Sequence, residues 1–202
     1  MADGLTYDNL PAGSSVLREY VDGGLRVTAP AGEVSSALRR LTARRAAVPA
    51  AVITAAALLL CMLAFGSTAL GHRNLLPWWW PILFGLFCAA LFLFVWQVRY
   101  VNQLDALERA LAQNTIIAAR HGRLLIESSG PLGAASVDLP REQIAAIGVR
   151  YNHRRGQWGQ EQPIDCLAIV PRQGEVLLVL GGRLPDELLW VRDALLSALE
   201  LR

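Results

Sequence analysis

The chain has 202 residues, of which 53% are hydrophobic and 18% are charged, and its formal net charge is +2. This length admits one or two compact units. So small a net charge excludes nucleic acid as a leading partner, because nucleic-acid-binding proteins usually carry a strongly basic face. The hydrophobic residues are concentrated in two blocks, so the sequence predicts a chain that meets both water and lipid.

The three cysteines show no spacing typical of a metal site or a disulfide framework. Cys61 and Cys88 lie inside the apolar blocks, where a thiol acts as a small hydrophobic group, and Cys166 lies far from both. We therefore expect no disulfide, no metal and no cofactor, and we expect the three cysteines to be dispensable.

The N-terminal segment, residues 1–45, opens with a predicted β-hairpin. Residues 15–29 contain two short runs around Asp22-Gly23-Gly24, a composition typical of a tight turn. Residues 33–45 have the pattern of a helix with arginines at its C-terminal end, close to a membrane surface.

The middle of the chain, residues 46–98, is predicted to be a transmembrane helical hairpin. Two uncharged stretches, residues 46–66 and 78–98, are each about twenty residues long, enough to cross roughly 30 Å of hydrocarbon. The short link between them contains glycine, asparagine and proline, so the two helices are expected to be antiparallel neighbours. A signal peptide is the alternative for the first stretch, but its apolar region is shorter and lies nearer the N-terminus.

Residues that flank the two spans predict the orientation and the membrane interface. Arginines precede the first span and follow the second, while the link carries a single arginine, so the positive-inside bias places both termini in the cytoplasm. Tryptophans near the ends of the second span are typical of the headgroup level. The predicted interface residues are Arg39, Arg40, Arg44, Arg45, Trp78, Trp79, Trp80, Trp96 and Arg99.

Small residues within the spans predict how the two helices meet. Ala51 and Ala55 in the first span, with Gly85 and Ala89 in the second, have the helical spacing that allows close backbone approach. The alternative is that they are ordinary lipid-compatible residues. Pro49 is predicted to lie in the first turn of its helix, where a missing N–H costs little.

Residues 99–202 are predicted to form a cytoplasmic sheet domain. The second helix keeps its apolar period to about residue 113, after which six short strands alternate with glycine and proline turns. A final helix opens with Leu184-Pro185-Asp186-Glu187, in which the two acids of the first turn are typical of helix capping, and it carries Leu188 and Val191 on its apolar face. A helix that closes one end of an antiparallel sheet is the layout of pleckstrin-homology-like (PH-like) domains. The fold class is therefore α+β, with the membrane hairpin inserted within the sheet domain.

One basic and aromatic cluster is a candidate site for membrane lipids. His153, Arg154, Arg155 and Trp158 lie in a predicted loop, residues 152–159, and cations attract lipid phosphate while indole enters the interface. The alternative is a solvated hairpin tip. The sequence contains no glycine-rich phosphate loop and no nucleophile elbow, so we expect no enzymatic activity.

Several stretches carry a resemblance that covers most of the chain. They are LPAG at 10–13, GGLRVT at 23–28, NTIIAARHGRLLIESSGPLG at 114–133, LPREQI at 139–144 and GGRLPDELLWVRDALLSALEL at 181–201. Together with the double span, they resemble a family of bacterial membrane proteins without an assigned function. The resemblance implies a PH-like domain anchored in the inner membrane of a bacterium. It implies no reaction, and no metal role, since the cysteine-rich start of many members is missing here.

Two functions remain after these exclusions. The first is a non-catalytic membrane-anchored binding or scaffolding protein, with membrane lipids and a protein partner, in the membrane or at its cytoplasmic face, as the expected partners. The alternative is an accessory structural subunit of a larger integral membrane complex. Purification in mild detergent separates the two, because only the second predicts a partner in fixed stoichiometry.

Overall fold

The described part of the chain is an α+β protein with two antiparallel sheets and three α-helices, two of them long and apolar. The computed structural model describes residues 14–21, 23–69, 80–131, 133–155 and 161–201. The strands are β1 (Leu17–Val21), β2 (Gly24–Ala29), β3 (Asn114–Arg120), β4 (Arg123–Ser129), β5 (Ala135–Pro140), β6 (Ile144–Arg155), β7 (Glu161–Pro171) and β8 (Leu177–Val179). The helices are α1 (Ser36–Ala69), α2 (Trp80–Leu111) and α3 (Pro185–Ala198).

Five strands form the first sheet in the order β1-β2-β3-β4-β5. The predicted N-terminal hairpin is confirmed: β1 pairs with β2, and Gly23 between them has a φ of 74°, in the left-handed region that favours glycine. Gly24 is required for a different reason, because a Cβ there would lie 2.5 Å from the Cβ of Arg120. The inner face of this sheet buries Val27, Ile117 and other apolar side chains of the main core.

The helix pair is an insertion between two neighbouring strands. β2 and β3 are paired side by side, with Ala29 opposite Thr115, although α1 and α2 separate them in the sequence. The base of the insertion is closed by a hydrogen bond from the Gly32 N–H to the Leu111 carbonyl, at 3.1 Å. The predicted insertion within the sheet domain is therefore confirmed as a feature of the chain path.

The remaining strands form a second sheet, whereas the sequence pattern predicts a single antiparallel sheet. The chain changes sheets after β5, where Pro140 and the short 3-10 turn Arg141–Gln143 interrupt the strand, and β6, β7 and β8 then pair in that order. Proline has no N–H to continue a ladder, which explains why the break falls there. Helix α3 packs against both sheets, and its Leu188, Val191 and Leu195 are fully buried in the main core.

Helix α1 begins earlier than the predicted first span. The Ser35 hydroxyl accepts a hydrogen bond from the Leu38 N–H at 3.2 Å, which is an N-cap, and the helix then runs without a break to residue 69. The predicted helix of residues 33–45 and the first span are thus one element. Pro49 lies inside this helix and not in its first turn, so the carbonyl of Arg45 lacks its usual helical N–H partner.

Two helical segments are long and apolar enough to cross a membrane. They are Ser36–Met62 and Ile82–Leu111, and only 17% and 6% of their most apolar windows are buried within the protein. A core helix of a water-soluble domain would be mostly buried, whereas these two helices leave most of their apolar surface uncovered by the described residues.

The face of α1 that meets α2 is a row of small residues at four-residue spacing. Thr42, Ala46, Ala50 and Thr54 are buried along this row, and Cys88 is buried on α2. The Thr42 hydroxyl donates to the Leu38 carbonyl at 2.8 Å, so it is satisfied within its own helix. Small side chains on one stripe allow two helices to approach closely.

The predicted contact face was wrong by one residue in α1. Ala51 and Ala55 are exposed, as are Gly85 and Ala89 in α2, and a Cβ added at Gly85 would contact nothing within 4 Å. Alanine occupies several faces of this helix, so residue size alone does not identify the face that packs. The packed face is instead the row from Thr42 to Thr54. This row continues the side of α1 that is already buried at Leu38, one turn earlier.

The corrected contact face predicts different effects for two adjacent alanines. Ala50→Leu should destabilise the protein by about 1–3 kcal/mol, because the larger side chain would separate the packed helices. Ala51→Leu, on the exposed face, should change stability by less than about 0.5 kcal/mol. Unfolding of the full chain in detergent, followed by circular dichroism, measures both. Equal losses in the two variants would show that this face is not the contact.

Candidate functional site

Aromatic residues of α2 mark both ends of its apolar part. The Trp96 indole N–H donates to the Ala43 carbonyl of α1 at 3.1 Å, and its ring stacks on Tyr100 with a centroid distance of 5.6 Å. Trp80, at the other end, is half-buried, and sixteen residues of helix separate it from Trp96 by about 24 Å. This separation is about 6 Å less than the roughly 30 Å thickness of a hydrocarbon core. Trp78 and Trp79 lie outside the described residues.

The predicted arginines lie just before or after the apolar helical surfaces. Arg39, Arg40 and Arg44 are exposed on α1, and Arg99 is half-buried on α2. We call residues 36–45 of α1 and 99–111 of α2 the helix base. Arginines at the helix base are suited to contact with a negatively charged surface. They surround the region where the helices enter the sheet domain.

Arg45 has a partner that the sequence did not indicate. Its guanidinium lies 2.8 Å from the Asp165 carboxylate of β7, whose side chain is only 9% exposed. The backbone carbonyl of Asp165 also accepts a hydrogen bond from the Gly182 N–H at 3.0 Å. Arg45 was predicted as an interface residue, but it also connects α1 to the second sheet. A single carboxylate between Ile164 and Cys166, in the part of β7 that is otherwise apolar from Pro163 to Pro171, was the available signal.

A small apolar cluster surrounds this ion pair and connects both helices to β7. Ile164 of the strand packs against side chains from α1, from α2 and from the segment that precedes α1. The buried members of the cluster are Val34, Leu38, Ala106, Leu107, Ala110, Leu111 and Ile164. Burial of this cluster fixes the helix base against the sheet domain, because separating them would expose apolar surface to water.

A buried arginine and glutamate fasten the N-terminal strands to α3. Arg183 donates hydrogen bonds to the Ser15 hydroxyl and to the Pro30 carbonyl, just before β1 and just after β2. Glu187 accepts from the Ser15 N–H at 3.0 Å and, as a helix cap, from the Leu184 N–H at 3.1 Å. Burial lowers the pKa of Arg183, and the charge of Glu187 opposes that change. We call this pair the Arg183–Glu187 clasp.

The candidate lipid residues do not form the predicted loop. The pairing of β6 with β7 continues to Arg155 opposite Glu161, so His153, Arg154 and Arg155 belong to a strand. Neighbouring strand residues point to opposite faces, and accordingly His153 is exposed while Arg154 is half-buried. The structure therefore does not bring His153 and Arg154 together on one face. Trp158 lies outside the described residues.

Cys166 is held in an unreactive state. Its thiol donates a hydrogen bond to the Arg150 carbonyl at 3.2 Å. Burial and, to a smaller extent, the negative charge of Asp165 raise the pKa of the thiol to about 11, while the positive charge of Arg154 lowers it. At neutral pH the thiol stays protonated, and a protonated thiol is a poor nucleophile and metal ligand. Within the described ranges, Cys61, Cys88 and Cys166 are free, and no group of three or more His, Cys, Asp or Glu side chains could hold a metal ion.

Comparison with known proteins adds no relative to this description. Neither family models nor curated proteins nor solved structures match the chain. The resemblance to a bacterial membrane family therefore stays a prediction. The candidate functional regions are the exposed helix pair, the helix base and the β6–β7 hairpin.

The Arg45–Asp165 pair predicts unequal effects for its two members. Arg45→Met should destabilise the protein by about 1–2 kcal/mol, because it leaves a buried carboxylate without its cation. Asp165→Asn should cost less than about 1 kcal/mol, because the half-exposed Arg45 can turn to water. Denaturant unfolding of the full chain in detergent compares them, with Arg44→Met as the matched control. A loss in the control as large as that of Arg45→Met would remove the ion pair from the explanation.

Proposed function

We propose that this chain is a non-catalytic, membrane-anchored binding or scaffolding protein. Its two long helices cross the inner membrane of a bacterium, and its two sheets form a PH-like domain in the cytoplasm. The observation that carries the proposal is the division of each helix into an uncovered apolar part and a base that is built into the sheet domain. Such an arrangement is suited to holding a domain at a fixed distance from a bilayer.

Two antiparallel sheets closed by a C-terminal helix support the PH-like part of the proposal. Helix α3 contributes fully buried leucines to a core shared by both sheets. This is the layout expected for a PH-like domain, with β1 and the helix pair as additions to it. A fold of this kind carries function on its surfaces and edges, so its partners have to be argued from particular residues.

The non-catalytic part is supported by the structural roles of the reactive side chains. Asp165 is paired with Arg45, Glu187 holds the N-terminal strands, and Cys166 is buried with a raised pKa. Each of these groups already has a partner that explains its burial. None of these three groups is left to act as a nucleophile or a general base.

One observation favours the second candidate, an accessory subunit of a larger membrane complex. Helix α2 exposes Leu86, Phe87, Leu93 and Phe94 on its uncovered surface. Lipid tails can cover these side chains, and so can a partner helix. Recovery from mild detergent with one partner in fixed stoichiometry would favour the subunit, whereas recovery of the chain alone would favour the binding module.

The proposed anchor predicts a specific labelling pattern. In a background with Cys61, Cys88 and Cys166 replaced by alanine, Asn74→Cys should react with an impermeant maleimide in intact spheroplasts, because the link between the helices faces outward. Ser197→Cys, at the end of α3, should react only after lysis. The opposite pattern would reverse the orientation. Labelling of both sites, or of neither, would contradict a pair of spans.

The β6–β7 hairpin is proposed to contact anionic lipid headgroups next to the anchor. A fluorophore on His153→Cys, in the full chain in nanodiscs, should be quenched more by headgroup-labelled lipid when the bilayer is anionic. Arg154→Glu with Arg155→Glu should reduce this quenching, since each cation near the surface is worth about 1 kcal/mol, and added salt should reduce the difference. A fluorophore on Ser136→Cys is the control. Equal quenching with and without the two arginines would exclude the hairpin as a lipid contact.

A further inference from the structure

Three arginines of the helix base carry charges that no described residue neutralises. Arg40 and Arg44 are exposed on α1, and Arg99 is half-buried on α2. Among the residues that the structure describes, no hydrogen bond, ion pair or ring contact engages the side chain of any of the three. Charged side chains that are removed from water usually have a partner, so an external anion matters most for Arg99.

The acids near the helix base do not supply this anion. Helix α1 contains no aspartate or glutamate. The first acid of α2 is Asp105, which lies about 9 Å along the helix from Arg99 and pairs with Arg109 at 3.0 Å. The Asp165 carboxylate of β7 is already paired with Arg45. An anion for the three arginines therefore has to come from outside the described residues.

The three arginines lie in one layer next to the uncovered apolar part of the helices. The Trp96–Ala43 hydrogen bond places residue 96 of α2 at about the level of residue 43 of α1. Arg99 and Arg40 each lie three residues, about 4.5 Å, from that level on the side of the sheets, and Arg44 lies about 1.5 Å from it on the opposite side. The layer is therefore about 6 Å deep. One headgroup layer of a bilayer is about 5–7 Å thick, because about 30 Å of a total of about 40–45 Å is hydrocarbon.

We propose that Arg40, Arg44 and Arg99 bind the phosphate groups of anionic phospholipids, with Arg99 as the central residue. A guanidinium is suited to this role because its planar fork of N–H donors matches two phosphate oxygens. This inference rests on the proposed function, for which it names the class of lipid and the residues that select it. Lipid bound here stabilises the folded protein, because the unfolded chain does not hold the three arginines in one layer.

A phospholipid fits this layer better than a free phosphate ion. The uncharged stretch of α1 starts at Ala46 and that of α2 ends at Val98, so each lies within one turn of an arginine of the layer. Trp96 and Tyr100, on either side of Arg99 in the chain, stack their rings with a centroid distance of 5.6 Å. A ligand at this level therefore meets cations and apolar surface together, and a phospholipid offers an anionic headgroup to the first and apolar tails to the second.

The test is thermal unfolding of the full chain in a neutral detergent with added phosphatidylglycerol or phosphatidylcholine. All proteins carry Arg154→Gln and Arg155→Gln, so that the β6–β7 hairpin does not supply the lipid contact. Phosphatidylglycerol should raise the unfolding temperature more than phosphatidylcholine does, and the Kd derived from this stabilisation should rise about fivefold in Arg99→Gln, which is the effect of about 1 kcal/mol for one cation near an anionic surface. Arg99→Lys should retain most of the affinity. Arg172→Gln, which changes an exposed arginine outside the helix base, is the matched control.

Four results would overturn the inference. Equal stabilisation by the two lipids would leave the arginines to an acidic protein partner. An unchanged Kd in Arg99→Gln would remove the central residue, and equal losses in Arg99→Gln and Arg99→Lys would assign the effect to packing and not to charge. Displacement of the lipid by inorganic phosphate at constant ionic strength would assign the layer to a free ion. Circular dichroism without lipid checks that every variant is folded. Alkaline extraction of the protein from membranes would contradict the proposed anchor without changing the affinities measured in detergent, so the two failures are distinguishable.

Discussion

The pairing of β2 with β3 constrains the whole molecule. Neighbouring strands lie about 4.8 Å apart, whereas packed helices lie about 8–10 Å apart, and the chain must pass from one spacing to the other within a few residues. The Gly32–Leu111 hydrogen bond makes this transition at the base of the insertion. Because both strands are central members of their sheet, the helix pair cannot rotate freely about a linker. Its direction is set by the sheet.

The contacts around the helix base add to this constraint. The Arg45–Asp165 pair and the Ile164 cluster fix the helices to the second sheet, while the strand pairing fixes them to the first. Both sheets therefore hold the same pair of helices. If the helices span a bilayer, the sheet domain has one defined height and orientation above it, and a scaffold or a surface sensor needs both.

Local patterns were sufficient for much of the fold. The uncharged stretches predicted the two long helices, and the glycine turns predicted the hairpins. The Leu184-Pro185 start predicted α3. Features that depend on distant residues were not accessible in this way. The Arg45–Asp165 pair joins residues far apart in the sequence, and β6 extends to Arg155 because β7 supplies a partner for each position from Ala146 to Arg155. The packed face of α1 was missed because its alanines occupy several faces.

Glu187 shows how one residue can be predicted correctly and still incompletely. Its acidic side chain in the first turn of α3 indicated a helix cap, which the Leu184 N–H confirms. Its second oxygen binds the Ser15 N–H, and no periodicity in the sequence connects those two residues. A buried carboxylate that serves two segments has more effect on the fold than a surface cap, because its removal would leave both N–H groups unsatisfied.

The Arg183–Glu187 clasp also connects the N-terminal strands, which lead into α1, to α3. It ties Ser15, which precedes β1, and Pro30, which follows β2, to the start of α3. The clasp therefore holds β1 and α3 together at one end, and the Arg18–Trp190 contact joins them again. Since α1 follows β2 after only six residues, the clasp also fixes the strand that leads into the helix pair.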